Sequence, residues 1–274
     1  MVLTTFTVLA DMARQVAGDR LEVRSITKPG AEVHGYEPTP RDLEAAQGAG
    51  LIIENGLGLE RWSDRFMAAA GDVPKVTLSQ GMTPLVIEGE GASAKPNPHA
   101  WMSPLRVAHY VDRLVLSFSG LDPDGAAQYR SRGEAYKQQL RRLDRELRSA
   151  LSAVPQDQRL LVTCEGAFSY LAHDYGLDEA YLWPVNAESQ VTPRRLASVI
   201  DTVKRRRVPA VFCESTVSDE AQREVVRATG TRFGGTFYVD SLSSRTGPAP
   251  TLLALHRHNV ALIVQGLTAA EANR

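Results

Sequence analysis

The chain has 274 residues, a length that fits one large domain or two modest ones. Hydrophobic residues make up 43% and charged residues 23% of the chain, which is typical of globular proteins and excludes a disordered chain. The 31 basic and 32 acidic residues give a net charge of −1, so the basic excess typical of nucleic-acid binding is absent. No apolar run reaches the roughly 18 residues that a membrane-spanning helix needs.

The first third of the chain alternates short apolar runs with helical patterns. Residues 21–26 and 51–54 are predicted to be strands, and residues 41–48 and 57–70 are predicted to be helices. Alternation of strands and helices indicates a parallel α/β sheet. We therefore expect an N-terminal α/β lobe over residues 1–119.

Residues 120–154 are predicted to form one long linking helix. Asp122 is its expected N-cap and Pro123 its first helical residue, and leucines then recur at spacings of three and four residues. At 1.5 Å per residue, about 32 residues give a rod of roughly 48 Å. Gly133 would allow a kink in this rod.

The last part, residues 155–274, is predicted to be a second α/β lobe. Strands are expected at residues 160–163, 210–212 and 237–239, each followed at once by an acidic residue or Cys-Glu and then by a helix. In open α/β sheets, ligands bind at such carboxyl ends of strands. The predicted fold class is thus α/β, with two lobes of parallel sheet joined by one long helix.

Two histidines lie in loops that prolines bracket, namely His34 and His99. Proline stiffens the backbone and holds the imidazole in place, which suits a metal ligand. The alternative is a surface histidine stacked on Tyr36 or Trp101. The remaining histidines suggest no site: His109 is expected to be partly buried, and His173, His256 and His258 are expected to be solvated.

Two acidic residues follow predicted strands of the second lobe, namely Glu165 and Asp240. Each alone could cap a helix N-terminus, and Glu214 and Glu188 fit capping or a supporting role. Together with the two histidines, however, two carboxylates cancel the charge of a dication and give a nitrogen and oxygen donor set suited to Mn²⁺ or Fe²⁺; Zn²⁺ would bind more tightly. With two ligands from each lobe, the ion is expected in the cleft between the lobes.

The segments that carry these residues resemble a known family. G-A-E-V-H-G-Y-E-P-T-P, N-P-H-A-W-M-S-P, T-C-E-G-A-F-S-Y-L and F-Y-V-D-S-L-S are similar, in this order, to the four metal-ligand segments of the metal-specific solute-binding proteins of ABC importers. The resemblance covers nearly the whole chain and implies His34, His99, Glu165 and Asp240 as ligands. Zinc members usually have a third histidine where this chain has Glu165, so the manganese and iron branch fits best. The family often has Asp-Pro-His where this chain has Asn97-Pro98-His99.

The resemblance also implies how the protein is used. It indicates a binding protein and not an enzyme, with Mn²⁺ as transported ligand and Fe²⁺ or Zn²⁺ as alternatives. The partner would be the membrane permease of an ABC importer, and the protein would be a monomer without nucleic acid. It would be periplasmic or lipid-anchored outside the cytoplasmic membrane, although the first residues do not resemble a secretory leader.

Three other interpretations remain open at this point. An oxidising compartment would permit a disulfide between the two cysteines, Cys164 and Cys213, closing a loop of about 50 residues; the alternative is two buried thiols. The same four residues could serve a metal-dependent hydrolase, which would need an open coordination position for water. A siderophore or other organic ligand would need aromatic residues or arginine clusters, and the ligand-bearing loops offer mainly Trp101 and Tyr36.

Overall fold

The computed structural model describes residues 1–87, 95–185 and 191–268. Contacts divide the chain into two units, each made of three separate segments. Unit 1 comprises Met1–Thr83, Pro104–Leu143 and Asp240–Leu252, and unit 2 comprises Pro84–Ser103, Asp144–Val239 and Leu253–Arg274. The predicted domains, residues 1–119, 120–154 and 155–274, are continuous stretches of chain, and their boundaries stay a prediction.

Unit 1 contains a four-stranded parallel sheet with strand order β2-β1-β3-β4. The strands are β1 (Val2–Thr4), β2 (Val23–Ser25), β3 (Leu51–Glu54) and β4 (Lys75–Thr77), and the helices are α1 (Thr7–Ala17), α2 (Pro40–Gln47), α3 (Ser63–Ala70) and α4 (Pro104–Leu121). Leu3 and Ile52 of the sheet pack with Trp62 and Phe66 in a hydrophobic cluster. Burial of these apolar faces is the main force that holds helices against a sheet.

Unit 2 contains two parallel strand pairs that lie side by side. One parallel pair is β7 (Leu160–Glu165) with β8 (Asp178–Trp183), and the other is β9 (Ala210–Glu214) with β10 (Arg232–Phe237). Unit 2 also has an antiparallel pair, β5 (Val86–Ile87) with β6 (Lys95–Pro96). The helices are α6 (Ser169–Tyr175), α7 (Pro193–Arg206), α8 (Glu220–Thr229) and α9 (Leu252–Thr268). Gln222 donates its side-chain amide to the carbonyl oxygens of Val162 on β7 (3.3 Å) and Phe212 on β9 (2.7 Å), so β7 and β9 are neighbours.

The long helix is shorter than the sequence predicts. α5 (Ala126–Leu151) has 26 residues, or roughly 39 Å, and a 3-10 turn occupies Pro123–Gly125. Asp122 does not cap the helix with its side chain. Its carboxylate instead accepts hydrogen bonds from Arg20 (2.7 Å) and from the Tyr129 hydroxyl (2.6 Å), so a contact distant in sequence takes the side chain that the local pattern assigns to the cap.

Gly133 has a packing role in this helix. A Cβ atom there would lie 2.5 Å from Cγ2 of Val115 on α4, so glycine permits the close approach of the two helices. α5 continues through Gly133 as one helix. Glycine lowers the helix propensity at this position, but it allows α4 and α5 to pack closely.

The predicted fold class is confirmed: parallel α/β sheets occur in both units, and one long helix runs from unit 1 into unit 2. Two local expectations were wrong. The strand expected at residues 237–239 ends at Phe237, and the helix expected to follow it begins only at Leu252. The helix expected from residue 57 begins at Ser63, because Gly56, Leu57 and Gly58 take positive φ angles that end regular structure. Among the described helices, none combines the length and apolarity needed to cross a bilayer.

Candidate metal centre

His34 lies in a loop of unit 1 whose backbone is held at several points. The side chain of Glu32 accepts hydrogen bonds from the backbone N–H groups of His34 and Gly35. Next to it, the indole N–H of Trp62 donates to the Val33 carbonyl (2.8 Å). His34 is only 6% exposed, which contradicts the alternative of a solvated loop histidine.

Asp240 lies three residues after the end of β10 and belongs to unit 1. Its Oδ2 lies 3.2 Å from Nε2 of His34, so unit 1 brings one imidazole and one carboxylate together. The following residue, Ser241, accepts a hydrogen bond from the backbone N–H of Gly30 (2.7 Å), which fixes this loop close to the His34 loop. Asp240 is not the N-cap of the helix that follows it along the chain, because that helix starts only at Leu252.

His99 is fully buried in unit 2, in the segment that the sequence singled out. Its backbone N–H donates to Oδ1 of Asn97 (3.0 Å), and its Nδ1 lies 2.9 Å from the same oxygen. Trp101 packs edge-on against the His99 ring and donates its indole N–H to the carbonyl of Val239 (3.1 Å). The ring is therefore held from two sides, and the alternative of a surface histidine is again contradicted.

Glu165 is the last residue of β7 and is 2% exposed. It offers a carboxylate oxygen within 4.8 Å of a ring nitrogen of His99, so unit 2 also brings one imidazole and one carboxylate together. Its backbone N–H donates to the Glu214 carboxylate (3.2 Å), so of the two roles left open for Glu214, capping and support of the site, this contact fits support. Helix α6 starts at Ser169 without a side-chain cap, so Glu165 is not its N-cap. Glu188 lies outside the described residues.

A disulfide joins Cys164 to Cys213, with their Cα atoms 4.9 Å apart. It links the ends of β7 and β9 directly before Glu165 and Glu214. The predicted disulfide is confirmed, and the alternative of two buried thiols is wrong. Because both sulfur atoms are used in this bond, the pair offers no thiolate to a metal ion.

The sequence misjudged one histidine. His256 on α9 is buried, where the pattern predicts a solvated side chain, and its Nε2 lies 3.1 Å from the carbonyl oxygen of Trp101. Burial lowers the pKa of His256 to about 4, so the ring is neutral and donates its Nε2–H to that carbonyl. His173 is exposed and His109 is partly buried, as expected.

A cavity of about 820 Å³ lies beside His34 in unit 1. Its lining includes the aromatic rings of Tyr36, Trp62 and Phe66 and the side chains of Arg61 and Arg65. Ring centroids of Tyr36 and Phe66 each lie 5.5 Å from Trp62, so the three rings form one aromatic group. The sequence pointed only to Tyr36 and Trp101 near the ligands, because the helix that carries Arg65 and Phe66 is distant from His34 along the chain.

Comparison with known proteins shows similarity over nearly the whole chain. The family model of ZnuA, described as zinc-uptake complex component A, periplasmic, matches residues 2–266. The iron-binding protein YfeA of Yersinia pestis is 47% identical over 265 residues, covering 97% of this chain and 85% of the relative. The manganese-binding lipoprotein MntA of Halalkalibacterium halodurans is 34% identical over 267 residues, covering 97% and 88%. The periplasmic zinc-binding protein TroA of Treponema pallidum has a similar structure, with a TM-score of 0.90, 26% identity and coverage of 97% and 98%.

Proposed function

Since the chain belongs to the ZnuA family of periplasmic metal-uptake components, we propose that it captures Mn²⁺ as cargo through His34, His99, Glu165 and Asp240. It then delivers the ion to the membrane permease of an ABC importer, acting as a monomer. The expectations that the chain is not an enzyme and that it works outside the cytoplasmic membrane are confirmed by the family. The hydrolase alternative has no support among the relatives.

The buried donor set carries this proposal. Two carboxylates and two neutral imidazoles match the charge of a dication, and all four side chains are at most 6% exposed. Buried carboxylates are costly unless a cation or hydrogen bonds compensate their charge. His34 with Asp240 in unit 1, and His99 with Glu165 in unit 2, each pair an imidazole with a carboxylate at short distance. This pairing supports binding of one divalent ion by the four residues.

The ligand assignment is tested by measuring metal content after purification. The wild-type protein should carry one equivalent of metal, while His34→Ala and Asp240→Ala should each lose most of it. His173→Ala is the matched control, because it removes an exposed histidine in unit 2 that is not a proposed ligand. Elemental analysis of the folded variants gives the answer. Full metal content in both ligand variants would refute the assignment.

Cargo identity is tested by competition between metals. The mixed nitrogen and oxygen shell accommodates Mn²⁺ and Fe²⁺, but the Irving–Williams order predicts that Zn²⁺ binds at least as tightly in vitro. We therefore expect Zn²⁺ to displace Mn²⁺ from the pure protein, while cells that depend on this protein accumulate Mn²⁺ from medium with balanced metals. Accumulation of Zn²⁺ or iron alone in those cells would overturn manganese as the cargo.

The cavity beside His34 favours a second candidate, binding of the metal as a complex with a small organic acid. Aromatic side chains together with Arg61 and Arg65 suit a flat anionic ligand, and the volume lies in the usual range for small-molecule sites. The probe is 2,3-dihydroxybenzoate, titrated with and without Fe³⁺ into wild type and the Arg61→Ala/Arg65→Ala double variant. Saturable binding that the double variant loses would support this candidate. Absence of saturable binding to the wild type would exclude it.

A further inference from the structure

Asn97 occupies the space between His99 and the turn that follows Glu165. Its side chain is fully buried, and both ends of its carboxamide are used. Oδ1 faces the backbone N–H of His99 (3.0 Å) and Nδ1 of the same residue (2.9 Å). Nδ2 donates to the carbonyl of Gly166 (2.8 Å) and to the hydroxyl of Ser169 (3.0 Å). One side chain therefore touches both ligand-bearing segments of unit 2.

The orientation of this carboxamide is determined by its backbone partners. The backbone N–H of His99 can only donate, so the atom that faces it is the amide oxygen; the carbonyl of Gly166 can only accept, so the atom that faces it is the amide nitrogen. Ser169 agrees with this orientation, because it gives its single hydroxyl proton to Glu179 (2.6 Å) and accepts from Asn97.

This orientation determines the tautomer of His99. An amide oxygen only accepts hydrogen bonds, so Nδ1 of His99 must carry the proton that lies between the two groups. In the neutral ring, Nε2 is then the unprotonated nitrogen, which is the form in which an imidazole nitrogen binds a metal ion.

The backbone of Asn97 is anchored as well. Its N–H donates to the carbonyl of Leu85 (2.8 Å), and its carbonyl accepts from the hydroxyl of Tyr170 (2.7 Å). Tyr170 lies beside Ser169 on α6, the helix that follows the Glu165 turn. The His99 loop is therefore bound to the Glu165 turn and its helix by several hydrogen bonds, and Asn97 takes part in most of them.

We propose that Asn97 is a positioning residue that fixes His99 in the tautomer with Nδ1 protonated and Nε2 unprotonated, and that it ties His99 to the turn of Glu165, so that the two ligands of unit 2 hold one geometry. The role in metal binding rests on the proposed function; the tautomer and the tie do not. An aspartate at this position would still accept from His99, but its carboxylate could not donate to Gly166 or Ser169. Asparagine is therefore the residue that serves both segments.

The tautomer is measured in the metal-free protein by long-range proton–nitrogen NMR of the imidazole rings. The His99 signals are assigned by their loss in His99→Gln. The wild type should show His99 protonated on Nδ1, whereas Asn97→Ala should shift the population toward protonation on Nε2. Gln222→Ala is the matched control, because it removes another buried carboxamide of unit 2 whose partners are backbone carbonyls. A wild-type His99 protonated on Nε2, or an unchanged tautomer in Asn97→Ala, would overturn the proposal.

The tie is measured through Mn²⁺ binding and release. Asn97→Ala should bind Mn²⁺ about 10- to 100-fold more weakly, the usual cost of losing a hydrogen-bond partner of a metal ligand. Asn97→Asp should keep the Nδ1-protonated tautomer yet release Mn²⁺ faster, because the donors to Gly166 and Ser169 are lost. It also provides the test if the alanine variant does not fold. Release from Asn97→Asp at the wild-type rate would refute the tie.

Failure of the proposed function is distinguishable from failure of this inference. If His99→Gln retains a full equivalent of Mn²⁺, His99 is not a ligand and the ligand assignment is wrong. The NMR comparison would still decide whether Asn97 sets the ring, since it needs no metal.

Discussion

Removal of the disulfide should destabilise unit 2 by an amount that the sequence separation sets. The bond joins residues 49 positions apart. In the chain-entropy model, closing a loop of this length restrains the unfolded chain and contributes about 4 kcal/mol to the free energy of unfolding. Cys164→Ala/Cys213→Ala removes the bond without leaving a buried thiol. Since urea slopes are typically about 1–3 kcal/mol per molar, the urea midpoint should fall by about 1–4 M.

The assay is urea unfolding followed by the fluorescence of Trp183, which is buried on β8 beside the cross-linked strand β7. Trp62→Phe and Trp101→Phe in all samples leave this residue as the reporter. The control is the protein with both cysteines, in the same tryptophan background, treated with reductant, because it loses the bond but keeps both sulfur atoms. This reduced protein and the Cys164→Ala/Cys213→Ala variant should share one lowered midpoint. An unchanged midpoint in both would refute the loop-closure reasoning.

Two further predictions concern single side chains. Because the folded pKa of His256 is about 4 and that of an unfolded histidine is about 6.5, the unfolded chain binds more protons between these values, and stability should fall by about 3 kcal/mol as pH drops from 7 to 4. In His256→Leu, this part of the pH dependence should disappear from denaturation curves; an unchanged dependence would mean that the ring is not buried neutral. Gly133→Ala should destabilise the protein by about 1 kcal/mol, because the clash with Val115 outweighs the gain in helix propensity. A higher melting temperature for that variant would show that α4 and α5 have room for the methyl group.

Local patterns predicted those elements whose causes lie within a few residues. β3 matches its predicted bounds, because a short run of consecutive apolar residues ends in a turn at Asn55-Gly56. α2 begins where Thr39 and Asp42 form a capping box ahead of the pattern. The start of α5 was misjudged because Arg20, about a hundred residues away, binds the acid expected to cap it.

Proline-bracketed loops pointed to the two histidines, strand ends pointed to the two acidic residues, and the resemblance of the four segments joined them into one proposed ligand set. The sequence could not show what surrounds them. His256 shares a helix with polar residues, and only tertiary packing turns its ring toward Trp101. In the same way, the sequence showed Asn97 only as a residue near the ligand His99 that differs from the aspartate common in the family. Its partners Gly166 and Ser169 lie some 70 residues further along the chain.

The segment 240–252 completes unit 1 although about a hundred residues of chain separate it from the preceding segment of that unit. Thr7 accepts a hydrogen bond from the backbone N–H of Leu242 (2.9 Å), and Asp11 accepts one from Leu252 (2.8 Å). A chain that emerges from the ribosome N-terminus first cannot form these contacts until residue 252 has been synthesised. Unit 1 therefore stays incompletely folded until that point. This state is compatible with passage through a secretion channel before the protein folds on the other side of the membrane.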